Sequence, residues 1–214
     1  MKKPKEKTNP IKNLILTHVN NNIIPYIIVL IFLFIGIVLG VIFINNIGEN
    51  ELKQLNSYIM DFVNSIKDNS SIDRISLLKN SIKENILLTL ILWFVGSTVI
   101  GLPIVYGIIA FRGFCLSYTI SAIISTLGLK SGIIFVLTSI LLQSIIFIPC
   151  ILALAVSGTN LYKSIMKDKR KENVKLEIIR HTIFSAIICI VLIISSFIEV
   201  FVSTNLFNIC VKFI

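Results

Sequence analysis

Charge is scarce in this chain. Only 14% of its 214 residues are Asp, Glu, Lys or Arg, while 55% are hydrophobic and the mean hydropathy is +0.91. A water-soluble domain of this size does not carry so much apolar surface. Histidine is almost absent. His18 and His181 have no carboxylate or cysteine at ligand spacing, which argues against a metal centre. Cys115, Cys150, Cys189 and Cys210 form no C-x-x-C pair and read as free apolar thiols. There is no G-x-S-x-G, no H-E-x-x-H, no Walker motif and no pair of membrane aspartates. No catalytic, cofactor-binding or metal-binding residue is therefore expected, and the chain does not read as an enzyme. The net charge of +9 would suggest nucleic acid for a soluble protein. Here the basic residues flank apolar runs, which the positive-inside rule explains without a nucleic-acid partner.

What is abundant is hydrocarbon in long runs. Crossing a bilayer core of about 30 Å takes roughly 20 apolar residues. Runs near that length cover Ile23 to Ile44, Ile86 to Phe111, Phe114 to Leu129, Ile133 to Val156 and Ile183 to Val202. The first is too long for a signal-peptide core and no small-residue cleavage site ends it, so it is expected to be kept. Turns are expected at Arg112 and Lys130. The short third run reads as a tilted span or a re-entrant arm, and charge chooses between them. With five spans, Lys2, Lys3, Lys5, Lys7, Lys12, Arg112, Lys163, Lys167, Lys169, Arg170, Lys171, Lys175 and Arg180 share one side, 13 of the 20 basic residues. That side is the cytoplasm. A re-entrant third run would put the basic loop outside.

The expected fold is thus an all-α polytopic membrane protein with five transmembrane helices. A basic cytoplasmic segment covers 1–22 and the first span 23–44. An extracytoplasmic amphipathic helical loop covers 45–85. A four-span domain covers 86–207, with its basic cytoplasmic loop at 157–182, and an extracytoplasmic tail covers 208–214. The partner this composition demands is the lipid bilayer; no small-molecule substrate is evident.

The 45–85 loop has a pattern of its own. Leu52, Leu55, Ile59, Phe62 and Ile66 recur at steps of three and four, the stripe of an amphipathic helix. Asn69, Ser70 and Ser71 break it, and Asp73 follows Ser70 at capping-box spacing. Ile72, Ile75, Leu78 and Ile82 then run in phase with Ile86, so the second helix is expected to continue into span two. Two readings fit the first stripe. Leu55, Ile59 and Phe62 contact an extracytoplasmic partner, or the stripe lies on lipid or on neighbouring spans.

Within the spans, polar and small residues are the informative ones. Glu199 is the only acid in an apolar run, about 25 Å along its helix from Ile183 at 1.5 Å per residue. It reads as a partner contact, an intraprotein ion pair or an interfacial acid. Lys130 is the better-placed basic partner, since Arg112 is expected at the opposite face. Gln143 should hydrogen-bond across helices. Pro103 and Pro149 should kink spans two and four. Gly36 and Gly40 form a G-x-x-x-G that permits close helix approach, within the chain or in a homodimer. Gly101, with Gly96 and Gly107, adds small positions to span two. Trp93 reads as a packing residue.

Several stretches together resemble the stage II sporulation protein M family. Leu92 to Phe114, LWFVGSTVIGLPIVYGIIAFRGF, is similar to its second-span signature, and FCLSYTISAII continues it. Ser139 to Ala153, SILLQSIIFIPCILA, resembles its amide-then-Pro pattern, although Leu142 and Ser144 replace the family's Pro and Asn. Ile194 to Thr204, ISSFIEVFVST, resembles its Ile-Glu motif, with Asn205 where Pro is common. The resemblance implies a non-enzymatic membrane scaffold at the sporulation septum. It would localise the peptidoglycan-degrading stage II sporulation proteins P and D during forespore engulfment. A different class, a small permease or channel subunit served by a separate ATPase, would use the basic 162–180 loop as its coupling surface. The five unequal runs show no internal repeat of the kind transporters have.

Overall fold

The computed structural model describes residues 17–67, 73–98, 100–167 and 171–203. The basic residues before position 17, Asn69 to Ile72, Asp168 to Arg170, Cys210 and the 208–214 tail lie outside them, with the expectations attached to each. Among the described residues the regular structure is helical. It includes α1 (Ile23–Asn45), α2 (Glu49–Lys67), α3 (Arg74–Gly96), α4 (Gly101–Leu127), α5 (Leu129–Val136), α6 (Leu142–Lys167) and α7 (Lys171–Ile198). Two π-helical segments, Leu137–Leu141 and Glu199–Ser203, adjoin α6 and α7. In hydrocarbon every backbone N–H and C=O must be paired internally, so apolar runs of this length fold as helices.

Four described helices are long and apolar enough to cross a membrane: Ile23–Asn45, Gly101–Leu127, Gln143–Met166 and Val174–Val202. Lys79, Lys83 and Glu84 set α3 apart from these, although its second half, from Asn85 to Gly96, is free of charge. As the in-phase stripe suggests, α3 runs unbroken through Ile86.

The helix boundaries differ from the apolar runs. The turn expected at Arg112 does not occur, because α4 passes straight through it. The chain reverses earlier, between Ser97 and Ile100, and that turn is closed by Thr98 N–H to the Val95 carbonyl at 3.0 Å and Gly101 N–H to the Thr98 carbonyl at 3.2 Å. A Cβ on Gly101 would overlap the Val95 carbonyl oxygen, so glycine is needed at this closure. Gly101 thus serves a turn instead of the middle of a span. Pro103 likewise does not kink a span: it lies in the first turn of α4, where a missing N–H costs no helical bond. Pro149 is inside α6. The second reversal, expected near Lys130, falls at Gly128, whose φ of 79° favours glycine.

Asp73 is the N-cap of α3 and not the third residue of a box begun at Ser70. Its Oδ1 accepts from Ile75 N–H at 3.1 Å and Ser76 N–H at 3.2 Å, and its Oδ2 from the Ser76 hydroxyl at 2.6 Å. These Ser76 bonds hold its carboxyl below the ordinary carboxylate range.

Directions follow from the cross-helix pairs. Gly36 abuts Ala110 and Gly40 abuts Phe114 and Ser117, so α1 and α4 run parallel. Tyr106 meets Thr159 and Arg112 meets Phe147, so α4 and α6 are antiparallel. Ser157 meets His181 and Gln143 meets Glu199, so α6 opposes α7. Trp93 meets Thr182 and Asn85 meets Ser196, so α7 opposes α3. Thus α1, α4 and α7 point one way, and α3 and α6 the other.

The main core gathers Val29 and Leu33 of α1, Leu92 of α3, Ile109 of α4, Ile151 and Leu154 of α6 and Leu192 of α7. A smaller cluster of Val63, Ile123, Phe135 and Val136 seats α2 on the α4–α5 hairpin.

Candidate functional site

The polar residues of the helices converge at one end of the bundle. Ser81 and Asn85 lie four apart on α3, and Ser196 and Glu199 three apart at the end of α7, so each pair shares a helix face. Because α3 and α7 are antiparallel, the two faces meet. The Ser81 hydroxyl donates to Glu199 Oε2 at 2.5 Å and lies 3.0 Å from the Ser196 hydroxyl. Asn85 Nδ2 donates to Ser196 Oγ at 2.8 Å. From α6, Gln143 Nε2 donates to the same Glu199 oxygen at 2.7 Å. Glu199 Oε1 has no hydrogen-bond partner among the described residues. Glu199 therefore ties three helices together through one oxygen and leaves the other available.

Both π segments border this cluster. Glu199 opens the second, Gln143 lies just beyond the first, and the two segments touch. A π turn widens the helix by one residue and re-aims its side chains, a distortion common at functional positions.

Beside the cluster lies a cavity of about 370 Å³, whose lining includes Ser81, Asn85, Arg112, Gln143, Phe147 and Glu199. Arg112, expected at the cytoplasmic face, instead sits near the midpoint of α4 and faces this cavity. Its guanidinium lies over the Phe147 ring, 5.5 Å from the centroid. It makes no ion pair among the described residues. Lys130, expected as the partner of Glu199, is exposed at the start of α5 and makes no ion pair among the described residues either.

The other singled-out residues lie elsewhere. Gly36 and Gly40 form the α1–α4 contact within one chain. On α2, Ile59 packs against the small cluster, Leu55 is half-buried and Phe62 is 50% exposed. Asn56 fastens this helix to α4 by accepting from the Thr126 hydroxyl at 2.7 Å. His181 is buried between Gly96 and Gly158, with Nδ1 2.9 Å from Ser157 Oγ. Among the described residues no group of His, Cys, Asp or Glu could hold a metal ion. Trp93 has a polar role as well as a packing one, donating from Nε1 to Thr182 Oγ1 at 3.1 Å.

Sequence reasoning missed Ser81, Asn85 and Ser196 as members of the site. The available signal was the four-residue spacing of Ser81, Asn85 and Thr89 along one face of a helix that turns apolar after Glu84.

Comparison with known proteins gives a family. The model described as stage II sporulation protein M matches residues 29–204. No curated protein matches the chain, and no solved structure does.

Proposed function

The chain belongs to the stage II sporulation protein M family, a family of sporulation-related membrane proteins, and from that premise we propose that it is a non-enzymatic membrane scaffold for septal peptidoglycan-degrading enzymes. Its partners in this reading are stage II sporulation proteins P and D. Its place is the sporulation septum during engulfment.

The reading includes five crossings with the amino terminus in the cytoplasm. The alternation of helix direction supports it: α1, α4 and α7 oppose α3 and α6, so α3 serves as the fifth span. Moving Arg112 to mid-helix leaves 12 of the 20 basic residues on the cytoplasmic side, still the majority. In a variant lacking the native cysteines, Ser70→Cys should react with a membrane-impermeant maleimide in intact cells and Asp168→Cys should not. Labelling of Asp168→Cys from outside overturns the topology.

The observation that carries the scaffold reading is the outward face of α2. In the proposed orientation this helix lies on the extracytoplasmic side. Its Val63 and Ile59 anchor it, while Tyr58 stands 73% exposed on the outward face. Aromatic side chains on a pre-positioned helix are well suited to anchoring a partner. Changing Tyr58 to Ser should leave the small cluster intact. Co-purification of the extracytoplasmic hydrolases should fall about tenfold, a loss of about 1.4 kcal/mol. Undiminished co-purification assigns the α2 face to lipid and removes this support.

A further inference from the structure

We propose that the cavity between α3, α4, α6 and α7 binds a phosphoethanolamine group, the zwitterionic head of an ethanolamine phospholipid or the free compound. Its two charged walls have complementary vacancies. Arg112 presents a guanidinium with no ion-pair or hydrogen-bond partner among the described residues, held over Phe147. A guanidinium far inside a membrane helix is costly unless an anion meets it, and its planar fork fits phosphate oxygens. Glu199 presents the unused Oε1, with Glu84 lining the same cavity. Those carboxylates disfavour a ligand that is only anionic, and Arg112 disfavours one that is only cationic. A ligand carrying both charges satisfies both walls.

Spacing and depth select among zwitterions. Phe147, which marks the guanidinium, lies one turn along α6 from Gln143, which marks Glu199. The two marker positions are about 6 Å apart along the helix axis at 1.5 Å per residue. An amino acid, with its charges on one carbon, is short for this separation. Phosphoethanolamine puts two carbons between them. Arg112 is also the deeper group and Glu199 the one nearer the end of the bundle, matching a headgroup whose phosphate sits below its ammonium. Leu116 and Ile140 add apolar lining to the same cavity, and its volume falls in the range of small-ligand sites. A choline headgroup meets the phosphate requirement but has no N–H for Glu199 Oε1. A glycerol headgroup lacks the cation.

The test uses the full chain purified in detergent, with thermal unfolding followed as lipid is titrated in. Phosphatidylethanolamine should raise the midpoint at a concentration at least tenfold lower than phosphatidylcholine or phosphatidylglycerol. Arg112→Gln and Glu199→Gln should each abolish that discrimination; Glu199→Gln keeps an acceptor for Ser81 and decides the matter if Arg112→Gln fails to fold. Stabilisation by free phosphoethanolamine identifies the soluble compound as sufficient, and stabilisation by the lipid alone identifies the lipid. Equal response to all three lipids, or discrimination preserved in Glu199→Gln, overturns the proposal.

Discussion

Replacing Gly36 with leucine should cost the protein more than about 3 kcal/mol and leave little of it folded at 37 °C. A side chain there would overlap the Ala110 carbonyl oxygen and stand 2.7 Å from its carbon. The obstruction is backbone and cannot swing aside. One turn on, a Cβ at Gly40 would come 2.5 Å from the Phe114 carbonyl oxygen, and Gly113 faces Leu33 in the same way. Three glycines thus set the α1–α4 distance, and a leucine at any of them forces the helices apart. In lipid no hydrophobic effect pulls the helices back, since tails solvate apolar side chains as well as a neighbour does; association rests on van der Waals contact. Thermal unfolding in detergent measures the loss. Leu39→Ala, on the exposed face of α1, is the control and should change stability by less than about 0.5 kcal/mol. An unchanged midpoint for Gly36→Leu would show that the two helices do not pack through this face. The same geometry assigns the G-x-x-x-G to folding within one chain, which leaves a homodimer without need of it.

The second large effect is expected at Glu199. Glu199→Leu removes the acceptor used by both Ser81 and Gln143, and each orphaned donor costs about 1–3 kcal/mol where water cannot reach it. A destabilisation of about 1–3 kcal/mol follows, because Gln143 is left without its acceptor while the serine keeps Ser196 as a partner. Glu199→Gln preserves an acceptor oxygen and should cost less than about 1 kcal/mol. Comparing midpoints of the two variants separates hydrogen bonding from charge. If Glu199→Leu unfolds with the wild-type midpoint, the network contributes nothing to the fold.

The contrast between these positions reflects what a linear sequence can carry. The first span was legible to within one residue, Ile23 to Ile44 against Ile23–Asn45, because a polar residue follows it and no cavity interrupts it. The reversal expected at Arg112 is displaced to Ser97–Ile100 because hydropathy is continuous from Ile86 to Phe111. A charge was read there as a loop, whereas Arg112 stays helical and is accommodated by a cavity. The better sign was Gly101 followed by Pro103, which a helix start tolerates and a helix middle does not. Glu199 and Gln143 were each conspicuous as polar residues in apolar runs. Their union with Ser81 was not, since Ser81 lies 118 residues from Glu199 in sequence and belonged to a segment read as an external loop. That segment is the start of α3, whose antiparallel docking on α7 is a tertiary fact with no local trace.

Gly128 bears on how the protein is made. It is the single residue between α4 and α5, and a Cβ there would meet nothing within 4 Å, so its conformation, not crowding, calls for glycine. One residue spans less than about 4 Å. That leaves no slack for one arm to settle in the bilayer while the other waits in water or in a translocation channel. The two arms are therefore expected to enter together as a hairpin. Arg112 on α4 and Phe147 on α6, already in contact across the hairpin, then arrive in the same step. The order of biogenesis is built into a one-residue joint.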